Sequence, residues 1–300
     1  MTDPNWDDMR VFLAVARAES LSGAARRLRL DPATAGRRVA RLEQAMGAPL
    51  FAKSPQGYAL TEAGQRLLAH AERAEAEMVA GAEALSGRAG GLSGQIRVGA
   101  PDGCANYLLP QVCRDIAEEN PDLDIQIVAL PRVVNLSRRE ADIAVAVSAP
   151  AAGRLVVQKI TDYRLSLAGA QDYLRGHAPI RGVADLRGHR IVGYIPDMIF
   201  DRELDYLSEI GVERVQLASN SVAVQVQWVR QGGGLGILHD FALPFAPGVV
   251  RVLPGEVRLT RSFYLLRHAD DRRLERLNRF AAALADRLRT EVARLESAAA

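Results

Sequence analysis

Long apolar runs are missing from this chain of 300 residues: no stretch reaches the roughly 18–20 consecutive apolar positions that a membrane-spanning helix requires. The opening segment, MTDPNWDDMR, is acidic and lacks the charged-then-apolar layout of a secretory signal, so a cytoplasmic location is expected. Cysteine is scarce, and Cys104 and Cys113 cannot form a disulfide framework. Lysine is confined to Lys53 and Lys159, which leaves arginine to carry nearly all the basic charge. His70, His177, His189, His239 and His268 fall at no metal-ligand spacing, and neither a nucleophile elbow nor a Walker loop is present. Catalysis, a resident metal and a cofactor are therefore not expected.

What the chain does have is concentrated in residues 20–46, SLSGAARRLRLDPATAGRRVARLEQAM. The pattern predicts two short helices around a tight turn, the second with Asp31 as N-cap and Pro32 as its first residue. Ala35, Val39, Leu42 and Met46 recur at helical spacing as an apolar stripe, and Thr34, Arg37, Arg38 and Arg41 fall on the opposite face. A charged helix face is commonly just solvated. Here, however, residues 22–53 carry Arg26, Arg27, Arg29, Arg37, Arg38, Arg41 and Lys53 against only Asp31 and Glu43. That is a surplus of five positive charges in a chain whose net formal charge is +2. Such concentration is the electrostatic footprint of a phosphate-contacting surface, and the geometry fits helix-turn-helix recognition of double-stranded DNA. A preceding helix is predicted over 7–19, with Met9, Phe12 and Ala16 along one side. After Gly47-Ala48-Pro49, Leu50-Phe51 and Tyr58-Ala59-Leu60 read as two short strands around the turn Ser54-Pro55-Gln56-Gly57. This is a wing with Lys53 near its tip, placed either as an edge charge or to approach a minor groove.

Thr61 then caps a helix predicted over 62–86. Its Gly64, Ala71, Met78 and Leu85 form one seven-residue series, and Leu67, Ala74 and Gly81 form a second. This small-residue seam suits a partner helix and implies a dimer. Gly87, Gly90, Gly91 and Gly94 in GRAGGLSG mark a linker and a domain boundary near residue 90. Beyond it, strands are predicted at 95–99, 123–129, 141–147, 189–194, 215–218, 235–238 and 262–266, and helices at about 104–119, 199–210, 221–231 and 271–295. This alternation implies α/β units with largely parallel sheets, divided into two lobes with a cleft between them. Gly232-Gly233-Gly234-Leu235-Gly236 follows a helix and precedes a strand, the reverse of a phosphate loop, and reads as a helix C-cap and tight turn.

FLAVARAESLSGAARRL, RRVARLEQAMGAPLF and LTEAG, with YLLP, ADIAVAV and QGGGLGILHDF further on, resemble the LysR-type transcriptional regulators along essentially the whole chain. The resemblance implies an α+β and α/β architecture. Residues 1–60 would form a winged helix-turn-helix, 61–90 a linker and dimerisation helix, and 91–300 a two-lobed effector domain of periplasmic-binding-protein type. Its lobes would comprise 91–161 plus 267–300, and 162–266. The implied partners are double-stranded DNA at an interrupted palindrome, a small-molecule effector, further copies of the chain as a dimer or dimer of dimers, and RNA polymerase. Thr34, Arg37, Arg38, Arg41 and Lys53 would meet DNA. The family usually has serine where this chain has Asp31 and Gly36, which leaves open a second reading: a dimeric small-molecule-binding protein with weak or non-specific DNA binding.

Carried position by position, the resemblance places the effector against Pro101, Asp102, Gly103, Ser148, Tyr194, Pro196, Asn220 and Ser221, at the carboxyl ends of strands and a helix start. Family members often hold a carboxylate there with a hydroxyl and helix N-termini. An ionised Asp102 opposes an anion, which points to an effector offering an amine or hydroxyl; alternatively, Asp102 and Ser221 are plain N-caps. Cys104 lies near a helix N-terminus, an environment that lowers a thiol pKa, although inert packing is the expected role. His239 stands at the mouth of the second lobe, where it is expected at the surface or, alternatively, touching an effector or tuning a pH response.

Overall fold

The computed structural model describes residues 5–54, 57–85, 92–129, 136, 140–150, 153–212 and 214–299. It divides into two compact units: Met1–Ala89 with Asn135–Glu140 and Ala269–Glu275, and Gly90–Val134 with Ala141–His268 and Arg276–Ala300.

In the first unit, capping side chains set the helix starts. Asn5 caps α1 (Trp6–Ala18) and Ser20 caps α2 (Leu21–Leu28). Asp31 caps α3 (Pro32–Met46), its Oδ1 accepting from the amides of Ala33 at 2.8 Å and Thr34 at 3.2 Å. Gly47 ends α3 in the left-handed conformation at φ 68°. Phe12, Leu13 and Val15 of α1 pack against Ala24 and Ala25 of α2 and against Ala35, Val39 and Leu42 of α3. Strands β1 (Phe51–Ser54) and β2 (Gly57–Leu60) pair antiparallel, Phe51 facing Leu60, and close the core through the Phe12–Phe51 ring contact at 5.4 Å. Residues 55 and 56 of the expected turn lie outside the described residues.

The Thr61 hydroxyl donates to the Pro49 carbonyl at 2.7 Å and accepts from the Gly64 amide at 3.0 Å, which fixes the start of α4 (Glu62–Leu85) on the wing. Gly64 and Ala71 are buried, with Leu67 packed beside them against the unit's own core, so the amino-terminal part of the seven-residue seam is filled from within the chain. Ala74, Met78 and Gly81, further along, are exposed. The expected linker falls mostly on residues 86–91, outside the described residues.

In the second unit, β3 (Gly94–Ala100) leads into α5 (Asp102–Tyr107) and α6 (Leu109–Glu119). The single helix expected at 104–119 is interrupted at Leu108. Pro110 stands in the first turn of α6, where its missing N–H and its ring bulk are tolerated at a helix start but not mid-helix. Then follow β4 (Leu123–Ala129), β5 (Ile143–Ala146), β6 (Leu155–Ala170), α7 (Gln171–Arg175), β7 (Ile191–Gly193) and β8 (Leu217–Ala218). Next come α8 (Val222–Arg230), β9 (Leu235–His239), β10 (Val249–Arg251), β11 (Arg258–His268) and α9 (Glu275–Ala298).

Among the described residues one sheet runs β4-β3-β5-β11-β6-β9-β7-β8, with β10 paired to β6. It is mixed rather than largely parallel. β3 pairs parallel with β4 and β5, and β7 parallel with β8 and β9, but β6 and β11 run antiparallel to each other and to their neighbours. The two long strands pass from one lobe to the other. Their register shifts between Phe263 and Tyr264, where the Tyr163 and Phe263 rings stack at 4.1 Å. The helix expected at 199–210 is absent. Three 3-10 turns stand nearby instead, at Pro196–Met198, Arg202–Leu204 and Ser208–Ile210. The Asp201 carboxylate accepts from the Glu203 amide at 3.0 Å, and the Ser208 hydroxyl donates to the Asp205 carbonyl at 3.1 Å. Such local bonds compete with helix propagation.

Candidate DNA interface and interlobe cleft

The outer face of α3 is built by the stripe beneath it. With Ala35, Val39 and Leu42 buried, Arg37 and Arg41 are exposed while Thr34 and Arg38 are half-buried. The three arginines are held differently. Arg37 donates to the Thr34 hydroxyl at 2.8 Å, on its own helix. Arg38 approaches Asp7 at 3.7 Å. Arg41 is clamped by both carboxylate oxygens of Asp8, a residue only 2% exposed. Arg41 thus ties α3 to α1 with a charge-assisted fork. Sequence reasoning missed Asp8, although a signal was present: Asp8 lies on the α1 stripe of Val11, Phe12 and Val15, and an acid on an apolar stripe needs a cationic partner. Arg26 and Arg29 of the preceding helix-turn segment are also exposed. Lys53 is in β1, paired across to Tyr58, and its side chain lies outside the described residues.

The second unit places the remaining candidates around a cleft. Asp102 opens α5, yet α5 takes Pro101 as N-cap without a side-chain bond. The Asp102 carboxylate reaches instead to α8. Its Oδ1 accepts from the Ser221 hydroxyl and the Ala223 amide, each at 3.1 Å, and its Oδ2 lies 3.2 Å from the same hydroxyl. Ser221 also caps α8 itself, accepting from the Val224 amide at 3.4 Å. Ser148 donates across the cleft to Asp201. Pro101 and Ser148 line a cavity of about 100 Å³, and Tyr194 and Pro196 line one of about 420 Å³; Phe200 and Asp201 belong to both walls. Asn220 is half-buried just before the α8 cap. Gly103 lies against His239: a Cβ there would stand 3.3 Å from the imidazole Cε1.

His239 is 5% exposed, not a surface residue. It stacks near Tyr163 and Phe241, with ring centroids at 5.5 and 4.8 Å. Burial pulls its pKa down from 6.5 to about 3, so it stays neutral across the physiological range and carries no pH response there. His239 Nδ1 is buried without a hydrogen-bond partner among the described residues. Cys104 is also buried, and desolvation pushes its thiol up, overriding any lowering by the helix N-terminus; Cys113 is pushed up to about 12. Neither thiol has the environment of a redox sensor. The glycine-rich stretch closes α8: Gly232 takes φ 74° and the Gly233 amide donates to the Trp228 carbonyl at 2.8 Å.

A winged helix-turn-helix with a basic α3 face, followed by a two-lobed domain with a ligand-sized cleft, defines a ligand-responsive DNA-binding regulator. Residues 6–65 match the bacterial regulatory helix-turn-helix proteins of the lysR family, and residues 89–289 match the LysR substrate binding domain. The chain belongs to the LysR family and is a DNA-binding transcriptional regulator with an effector-binding domain. It is 28% identical to the HTH-type transcriptional regulator DgdR of Burkholderia cepacia, over 84% of this chain and 83% of that one. The HTH-type transcriptional activator TtdR of Escherichia coli K12 is 24% identical over 82% of each chain. Among solved structures, ArgP of Mycobacterium tuberculosis superposes with a TM-score of 0.69 at 17% identity, covering 97% of this chain and 98% of that one. LysG of Corynebacterium glutamicum, solved with its effector arginine bound, gives 0.63 at 20% identity, covering 95% and 98%.

Proposed function

We propose that Arg37 and Thr34 read the operator, that Arg38 and Arg41 support the same face, and that Lys53 meets the backbone or minor groove from the wing. The observation carrying this reading is the unequal tethering of the arginines. Among the described residues Arg37 has a neutral hydroxyl partner, whereas Arg41 is engaged by a buried carboxylate. Asp31 spends its carboxylate on two backbone amides of its own helix, which removes the main objection to an acid near phosphates. The chain works as a dimer or dimer of dimers on an interrupted palindrome, in the cytoplasm, with RNA polymerase as a partner and without catalysis of its own. Residues 1–60, 61–90 and 91–300 serve as DNA-binding, linker and effector regions, with lobes at 91–161 plus 267–300 and at 162–266. The effector sits between those lobes, against Pro101, Asp102, Gly103, Ser148, Tyr194, Pro196, Asn220 and Ser221.

Selection of bound sequences from a random duplex library at near-physiological salt tests the reading. Enrichment of an interrupted palindrome is expected; salt-sensitive binding without enrichment would favour the small-molecule-binding alternative. On the enriched operator, Arg37→Ala is expected either to relax discrimination by about 1–3 kcal/mol at one base pair or to flatten the salt dependence by about one charge. Arg41→Ala should instead lower the denaturation midpoint, because it strands the buried Asp8 carboxylate.

A further inference from the structure

The amino-terminal end of α8 is occupied by a carboxylate from the other lobe. Ser221 and Ala223 present a hydroxyl and an amide there, and Asp102 fills both contacts at 3.1 Å. Asp102 is not serving its own helix, which is capped at Pro101 without a side-chain bond. Its lone pairs are therefore committed across the cleft rather than presented to a ligand amine. A second acid–hydroxyl pair, Ser148 with Asp201, bridges the lobes in the opposite sense.

The surroundings disfavour an added anion. Asp201 and Asp205 line the larger cavity with Arg202, which is exposed. Tyr206, 4% exposed, lines the same cavity, and the buried His239 keeps its Nδ1 without a hydrogen-bond partner among the described residues. Buried polar atoms of that kind are ordinarily satisfied by a ligand or water.

We propose that Asp102 is the specificity-determining residue of the cleft. Its carboxylate is a tethered stand-in that fills the anion seat at α8 from within, so the effector is a small molecule without a carboxylate. This rests on the cleft being the effector site. It replaces the expectation of a free Asp102 holding an amine.

Chemical rescue of the full-length protein tests it, with formate and acetate as probes and chloride at matched ionic strength as control. Asp102→Ala should empty the seat. Both carboxylates should then raise its thermal midpoint saturably and bind at least tenfold more tightly than to wild type, and adding Ser221→Ala should remove the rescue. Equal shifts in wild type and variant, or no shift in either, would overturn the proposal. Should Asp102→Ala not fold, Asp102→Asn keeps the shape with the seat still filled: probe binding no tighter than wild type supports the proposal, and tighter binding overturns it. Operator binding by the wild type is read separately. Its absence alongside carboxylate rescue sinks the regulatory reading and leaves the Asp102 seat standing; its presence without rescue does the reverse.

Discussion

Single residues in this protein divide into those held for contact and those held for placement, and burial draws the line. Arg41 shows the second kind: its guanidinium is visible from outside, yet both oxygens of a buried carboxylate fix its orientation. His239 shows what burial does to a titratable group. Its pKa is about 3 in the fold against 6.5 when unperturbed, because desolvation disfavours the imidazolium. The sign follows from linkage: the unfolded chain takes up the proton first as pH falls, so this contribution to stability is complete above about pH 6.5 and drains away toward pH 3. Between pH 7 and pH 5 it amounts to roughly 2 kcal/mol. His239→Phe keeps a ring among Tyr163, Tyr206 and Phe241 and cannot be protonated. Urea midpoints at the two pH values are expected to fall less for the variant than for wild type; parallel falls would show that His239 is not neutral in the fold.

At the scale of elements, α4 is seated on the wing at its start and exposed further along. A Cβ on Gly64 would stand 2.1 Å from the Leu50 carbonyl oxygen and 2.9 Å from Leu60 Cδ2, so the first turn requires glycine to sit on the wing. Met78, two turns beyond Ala71, is 54% exposed. Gly64→Ala is expected to cost about 1–3 kcal/mol or more in the urea midpoint through overpacking. Met78→Glu should leave that midpoint in place and dissociate the dimer in sedimentation equilibrium; an unchanged dimer would move the interface elsewhere. Elements whose cause is local were readable in the sequence: the Asp31 and Thr61 caps, the α3 stripe and the glycine stop after α8 all carry their own signals. β6 was not. It is half-exposed over Leu155–Lys159 and buried on both faces over Leu165–Ala170, so no single period runs through it. The turns at 196–210 were misread because Leu204 and Tyr206 are apolar enough to suggest a helix, while Asp201 and Ser208 divert the backbone. The site suffered accordingly: Asp201 and Tyr206 went unseen. Asp102 was found, but its partner in the opposite lobe depends on a contact between residues 119 positions apart.

Taken whole, the molecule joins a basic reading head to a sensing domain, and α4 offers the exposed stretch on which two heads can be paired. Pairing changes the arithmetic of recognition. One α3 reaches only a few base edges, whereas two heads on a two-fold axis bind both arms of a palindrome, and the second engagement is intramolecular. A rigid pairing also fixes the phase between the arms. Inserting about 5 bp into the spacer turns one arm to the far side of the duplex, since B-DNA repeats every 10–10.5 bp or so. Fluorescence anisotropy on the selected operator is expected to show that this insertion weakens wild-type binding to the level of a single arm. An insertion of about 10 bp should recover part of the loss, because it restores the facing of the arms but not their separation. Met78→Glu, already reduced to one head, should be indifferent to both insertions. If wild type shares that indifference, the heads act independently and the exposed seam of α4 does not pair them.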